Sequence, residues 1–216
     1  MRNRKFFFIV FEGIEGSGKS YQSRKLYTAI KKIRLPVILT REPGGTKSAE
    51  KIREIILKDY FHPDFKEKFD KYTDTLLYLA ARNEHIQNKI KPAISKKKIV
   101  ICDRFIDSTF AYQVYGKGVN KNFVDLLHKY ILGNIKPDMT FILKVNMSKA
   151  LQRLKKRATK KNRYDKFSKN FYIKAQKAFI KIAKKKKKKY YIFDNSEDDK
   201  NLEKSIFKLV RSKLIK

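Results

Sequence analysis

An apolar run, Phe6-Phe7-Phe8-Ile9-Val10-Phe11, leads directly into Glu12-Gly13-Ile14-Glu15-Gly16-Ser17-Gly18-Lys19-Ser20, a complete G-x-x-x-x-G-K-S loop that constrains the fold more tightly than any other stretch. Such a loop needs a strand to deliver it and a helix to leave it. Its glycines lack a Cβ, so the backbone can curl until successive N–H groups face phosphate oxygens, and the following helix adds its positive end. Lys19 is then placed to reach β- and γ-phosphates, and the Ser20 hydroxyl to ligate Mg²⁺. The structural alternative is a Gly-rich turn that binds nothing. Against it, the chain has only eight Gly in 216 residues, and three of them fall between positions 13 and 18.

Apolar strand-like runs recur at Phe6 to Phe11, Pro36 to Thr40, Ile99 to Cys102, Met139 to Val145 and Tyr190 to Phe193. Helical spacing of apolar residues fills the intervals, at about Gly18 to Arg34, Thr46 to Lys58, Tyr72 to Ser95, Asn120 to Leu132, Ser148 to Ala158, Asp165 to Lys187 and Asp198 to Ile215. Continuous Val/Ile/Phe runs are the mark of parallel strands buried on both faces. The alternation therefore predicts an α/β chain, a doubly wound five-stranded parallel sheet with helices on both faces, built around the phosphate-binding loop. Ligands in such sheets sit beyond the carboxyl ends of the strands, where Gly13 to Ser20, Arg41 to Gly45 and Asp103-Arg104 all fall.

The length suits one domain, 1–216, and 42% hydrophobic content is enough for a core. A net charge of +33 invites a nucleic-acid reading, but the 42 Lys are spread over almost every segment, whereas a groove binder clusters them. The run Lys184 to Lys189 reads as a solvated helix end. Abundant Lys, Ile, Phe, Tyr and Asn with no Trp suggest a residue bias imposed by an AT-rich genome. The one Cys, Cys102, allows no internal disulfide and suits a reducing cytosol. Phe6 to Phe11 is short for a signal segment and no apolar stretch is long enough to span a bilayer, so a cytoplasmic protein without membrane or specific nucleic-acid partners is expected.

Ile99-Val100-Ile101-Cys102-Asp103-Arg104 is an apolar strand that delivers an acid beside the phosphate loop, the Walker-B arrangement, and Asp103 can hold the hydration shell of Mg²⁺. Hydrolytic ATPases commonly place a water-activating Glu next; here the residue is Arg104. A guanidinium is no base. It binds a second phosphate or steadies a transferred phosphoryl group, the alternative being an ion pair with Asp103 or another carboxylate. Thr40-Arg41-Glu42-Pro43-Gly44-Gly45-Thr46 forms a tight loop with Thr46 as helix cap. Tyr78 and Arg82 lie at i and i+4 of one helix face, so a planar base could lie on Tyr78 with Arg82 at its edge; core packing with a solvent-facing Arg is the other reading.

These segments together resemble the bacterial thymidylate kinases over nearly the whole chain. The resemblance rests on the phosphate loop, on Thr40 to Thr46, on Ala80-Ala81-Arg82, and above all on Asp103-Arg104-Phe105-Ile106-Asp107-Ser108-Thr109-Phe110-Ala111-Tyr112-Gln113, which matches the family's D-R-x-x-x-S-T-x-A-Y-Q signature. It implies Mg²⁺-dependent transfer of a phosphoryl group from ATP to dTMP, with Lys19, Asp103, Arg104 and Arg157 in the catalytic set. ATP is then held by Gly13, Ile14, Glu15, Gly16, Ser17, Gly18, Lys19, Ser20, Arg153 and Arg157, and Mg²⁺ by Ser20 and Asp103, largely through water. Glu15 faces the deoxyribose 3′-hydroxyl, Arg104 binds the dTMP phosphate, thymine lies on Tyr78, and Arg82, Thr109 and Gln113 meet its polar edge. Tyr112 bounds the sugar, and Arg41, Pro43 and Ser108 complete the acceptor set.

Gly16 and Ser17 stand where one subgroup carries an Arg, so the resemblance assigns the catalytic cation to a mobile lid at about 153–165, with Arg153, Arg157 and Arg163 closing over the triphosphate. Other departures are Tyr78 for the usual Phe, Lys117 in Val114-Tyr115-Gly116-Lys117-Gly118 for an Arg, and Lys144 and Asn162 where acids are common, while Asp165 keeps a later acidic position. A homodimer is the family's usual assembly. The competing readings are a kinase of dUMP, dCMP or a nucleoside, a nucleotide-gated nucleic-acid-binding protein, and an inactive homologue.

Overall fold

The computed structural model describes residues 6–58, 68–156, 163–197, 199 and 201–214. Five parallel strands, β1 (Phe7–Glu12), β2 (Val37–Arg41), β3 (Ile99–Asp103), β4 (Met139–Lys144) and β5 (Tyr190–Asp194), form one sheet in the order β2-β3-β1-β4-β5. Helices α1 (Lys19–Lys32), α2 (Lys47–Lys58), α3 (Lys71–His85), α4 (Lys91–Ser95), α5 (Ile106–Thr109), α6 (Lys121–Leu132), α7 (Met147–Lys155), α8 (Lys169–Lys185) and α9 (Asn201–Leu214) surround it. The expected five-stranded parallel α/β fold is present, and the switch in strand order falls beside β1, where the phosphate loop leaves the sheet.

Alternate residues of the central strands feed cores on opposite faces. Ile9, Phe11, Ile99, Ile101, Phe141 and Leu143 pack against Leu26 and Ile30 of α1 and Leu202, Ile206 and Val210 of α9. Phe8, Val10, Val100 and Cys102 face Ile86, Ile90 and Ala93 across the sheet, while Ile142 meets Ala175, Ala178 and Phe179 of α8. Burying each such large side chain contributes about 1.5–3 kcal/mol, and this two-sided burial is why the strands read as unbroken apolar runs.

The differences from expectation lie at helix ends and bulges. The long helix over Tyr72 to Ser95 is interrupted by a π-helical turn at Ile86–Ile90. Residues after Phe105, read only as a motif, form α5 and a second π turn, Phe110–Val114, a device that re-aims side chains near functional sites. The helix expected from Asp165 begins at Lys169 because Ser168 caps it, its Oγ accepting from Phe171 N at 3.2 Å; a 3₁₀ turn, Arg163–Lys166, precedes it.

Candidate functional site

The phosphate loop is fixed from outside as well as within. Gly13 has φ 144° and Gly16 φ 74°, and a Cβ added at either would lie 2.5 Å from a backbone oxygen, that of Leu143 or of Ala150. Only glycine fits both positions. Asn195, after β5, donates its side-chain amide to Ser17 O at 2.7 Å and pins the loop from the far side. Lys19 is buried, and its Nζ donates to Ile14 O at 2.7 Å. Burial first, and the Arg104 guanidinium second, push its amine down to about 8.

Strands β1 and β3 end side by side, Phe11 paired with Asp103, which brings the Walker acid to the loop. Ser20 Oγ hydrogen-bonds Asp103 Oδ2, and Asp103 Oδ1 is buried with no hydrogen-bond partner among the described residues. Arg104 adopts φ 72°, a left-handed conformation that costs an ordinary residue about 1–3 kcal/mol. Its N–H donates to Phe11 O at 2.9 Å, and Glu12 secures the start of the signature segment by accepting from Phe105 N at 2.8 Å and Ser108 N at 3.1 Å. Burial, with the nearby Asp107 charge, lifts the Glu12 carboxyl to about 8. The strained turn aims the Arg104 side chain back across the loop: it donates to Gly13 O and Ser108 Oγ at 3.0 Å each and to Glu15 Oε1 at 2.6 Å.

Glu15 is thus bracketed, because Tyr112 Oη donates to its other oxygen at 2.6 Å. Burial alone would raise the Glu15 carboxyl, but Arg104 and Lys19 hold it below the usual carboxylate range. Burial likewise opposes the Arg104 charge, and Glu15, then Tyr112 and Asp103, sustain it. The ion-pair alternative for Arg104 is realised with Glu15, within the cavity and not away from it.

Arg82 is not solvent-facing; it is 3% exposed and its guanidinium is enclosed by hydrogen bonds. It donates to Glu42 Oε2 and Thr109 Oγ1 at 2.7 Å and to Phe105 O at 2.9 Å, and lies 2.7 Å from His128 Nε2. Burial and the Arg82 charge push His128 down to about 2, so its ring is neutral and Nε2 accepts. Glu42, whose peptide to Pro43 is cis, also meets His85 Nδ1 at 3.0 Å. Tyr78 is buried, and its hydroxyl hydrogen-bonds that of Tyr164.

Lys19, Asp103, Arg104, Glu15, Tyr112, Arg82 and Tyr78 all border one cavity of about 480 Å³. Its lining includes Glu15, Gly16, Gly18, Lys19, Ser20 and Asp103 together with Arg41, Pro43, Tyr78, Arg82, Arg104, Ser108, Thr109, Tyr112 and Gln113, with Arg153 reaching in from α7. Arg153 Nη1 donates to Gly16 O at 3.1 Å. Gly13, Ile14 and Ser17 support the loop from behind without lining the cavity. Arg41 lines it while paired with Glu50 at 3.0 Å. Arg157 and Asn162 lie outside the described residues. Arg163 differs from expectation: it is buried against Asp74 and Ile56 O and is not part of the cavity lining. Lys117 pairs with Asp74 at 2.8 Å and Lys144 with Asp194 at 2.9 Å.

Arg24, Arg53, Glu42 and Tyr164 also line the cavity, and sequence reasoning misses them. Arg53 Nη1 donates to Pro43 O at 2.8 Å, which ties α2 to the loop after β2. One signal could have found two of them. Lys outnumbers Arg 42 to 12 in the chain, and six of the nine described Arg line this cavity.

The model of the thymidylate kinase family matches residues 11–206. A curated thymidylate kinase of Wolbachia pipientis wMel is 46% identical over 179 residues, covering 82% of this chain and 84% of its own length. One from Sulfurihydrogenibium is 39% identical over 209 residues, 97% of this chain and 98% of that protein. Among solved structures, the thymidylate kinase of Ehrlichia chaffeensis superposes with a TM-score of 0.74 at 35% identity, covering 95% of this chain and 98% of its own. With a glycine loop, a Walker acid and a buried Arg-lined pocket gathered in one cavity, and with these relatives, the chain belongs to the thymidylate kinase family.

Proposed function

We propose a division of labour within the cavity for the family's reaction, the transfer of the ATP γ-phosphoryl group to dTMP to give dTDP and ADP, which this chain catalyses. The observation that carries it is the position of Arg104, which leaves the Walker acid and reaches both the phosphate loop and the acceptor wall. Main-chain amides of Gly13 to Gly18 and the Lys19 ammonium hold the triphosphate, and Arg104 holds the acceptor phosphate in line with it. The acceptor is already a phosphate oxyanion, so no side-chain base is required. Arg53 adds a second guanidinium on the acceptor side.

Thymine lies against Tyr78, with Arg82 and Gln113 toward its polar edge and Tyr112 and Glu15 toward the sugar. Because the Arg82 donors are held by Glu42, Thr109 and Phe105, the base edge meets a rigid wall, and a competitor with the wrong polar pattern leaves groups there unpaired. Ser20 Oγ and Asp103 Oδ1, which has no partner among the described residues, suit a hard cation approached through water, so these residues would hold Mg²⁺. When bound, Mg²⁺ neutralises charge on the transferring phosphate. Arg153, beside Gly16, supplies a cation from the lid span 153–165; Arg157 is retained as a second.

Leu76 on α3 and Leu126 and Tyr130 on the adjoining α6 are exposed, Tyr130 by 78%, and this apolar face supports a homodimer. No helix among the described residues is long and apolar enough to cross a membrane. The free thiol of Cys102 supports a cytoplasmic setting. The dispersed Lys support solvation over specific nucleic-acid binding. A crystal structure with dTMP and ADP tests the assignment: thymine against Tyr78 and its phosphate on Arg104 are expected, and a nucleotide seated elsewhere contradicts it.

A further inference from the structure

Asp74 lies in the first turn of α3, one turn before Tyr78 and two before Arg82, and is 1% exposed. It does not line the cavity, yet its two oxygens bind different segments that do or that flank it. Oδ1 pairs with Nη2 of Arg163, itself 1% exposed, and Oδ2 accepts from Lys117 Nζ at 2.8 Å. Arg163 Nη1 donates to Ile56 O of α2 at 2.9 Å, and the guanidinium sits 5.7 and 5.8 Å from the ring centroids of Tyr78 and Tyr164. Tyr164, the next residue, meets the Tyr78 hydroxyl and stands edge-on to Tyr112 at 5.6 Å.

A buried ion pair is a poor way to gain stability, since apolar residues of the same volume commonly do as well. What it supplies is fixed geometry, and here that geometry is the wall of the acceptor half. We propose that Asp74 is a positioning residue for the acceptor nucleotide: through Arg163 it holds Tyr164 against Tyr78 and Tyr112, and through Lys117 it fixes the turn after the Tyr112-Gln113 signature. The pocket is thereby preformed, and acceptor affinity does not carry the cost of ordering these segments. The proposal rests on Tyr78 being the base platform. It also gives Lys117 and Arg163 one common task, distinct from contact with the triphosphate.

Steady-state kinetics of Asp74→Asn, Asp74→Glu and the double variant Asp74→Asn/Arg163→Gln test this. The double variant keeps a neutral hydrogen-bonded pair, so it remains measurable if a lone buried guanidinium prevents Asp74→Asn from folding. The KM for dTMP is expected to rise more than about fivefold in each variant lacking the charge, with kcat and the KM for ATP within about threefold, and Asp74→Glu is expected to restore the dTMP KM. A rise of less than about fivefold, or an equal rise for ATP, overturns the proposal. Tyr78→Ala, measured alongside, separates the two readings. If it leaves the dTMP KM unchanged, the base platform is misassigned; if it raises that KM while the Asp74 variants do not, only the positioning role fails.

Discussion

Arg104 Nη2 donates to Glu15 Oε1 at 2.6 Å, so the guanidinium that comes after the Walker acid is aimed by a carboxylate of the phosphate loop itself. Glu15 is in turn held by Tyr112 from the acceptor wall, and one three-residue chain links the donor and acceptor halves. Replacing Arg104 by Ala removes the proposed acceptor-phosphate grip and leaves Glu15 without its principal partner. The expected loss in kcat/KM for dTMP is about 10²–10³ or more, with circular dichroism and chromatographic behaviour unchanged. Activity near that of the parent would remove Arg104 from the site.

Lys19 provides a pH signature. Its amine is pushed down to about 8, chiefly by burial, and ATP favours the charged form. The KM for ATP is therefore expected to rise as pH increases through about 8, with the KM for dTMP less affected. For stability the same shift has a definite sign: above about 8 and below the ordinary 10.5, the folded chain binds fewer protons than the unfolded one, so this contribution to stability increases with pH. A KM for ATP that stays flat from pH 7 to about 9 would contradict the buried, ATP-facing ammonium.

Glu12 titrates in the opposite sense. Its carboxyl is raised from 4.5 to about 8, so the folded state binds the extra proton and stability from this group is lost as pH rises across that window. Glu12→Gln retains an acceptor for the amides of Phe105 and Ser108 and cannot ionise. The melting temperature of that variant is expected to fall less between pH 5 and 8 than that of the parent, by about 3 °C or more. Parallel melting curves would remove the protonated carboxyl from beneath the signature.

Tyr78 tests the base platform without disturbing charge. Tyr78→Phe removes only the hydroxyl paired with Tyr164, and the KM for dTMP is expected to stay within about threefold. Tyr78→Ala removes the face, and a loss of about 1–3 kcal/mol of stacking corresponds to a rise of roughly five- to 150-fold. Equal kinetics for the two variants would place the base elsewhere.

The sheet is legible in the sequence because each strand is a continuous apolar run, and the loop because glycines are scarce in this chain and clustered where φ is positive. Asp103 and Arg104 can be placed for the same local reason: they end a strand. What stays hidden depends on distance in sequence. Beyond the choice of Arg over Lys, nothing local marks Arg53 as lining the cavity, and nothing marks Tyr164 as meeting Tyr78 across 86 positions. Arg163 reads as a cation on a polar stretch, bound for the triphosphate, and is instead buried by a carboxylate on α3. The π turn at Phe110–Val114 is equally hidden, since its spacing of apolar residues suits no regular period.

In the proposed arrangement one cavity holds a triphosphate donor end to end with a thymidine monophosphate. ADP release with ATP and Mg²⁺, measured for dTMP, dUMP and dCMP in turn, is the decisive assay. Rapid release is expected with dTMP, a rate with dUMP lower by about ten- to a hundredfold in kcat/KM for the missing methyl, and a far lower one with dCMP, whose base edge mismatches the wall at Arg82 and Gln113. Release independent of any monophosphate, or equal for all three, would contradict that arrangement.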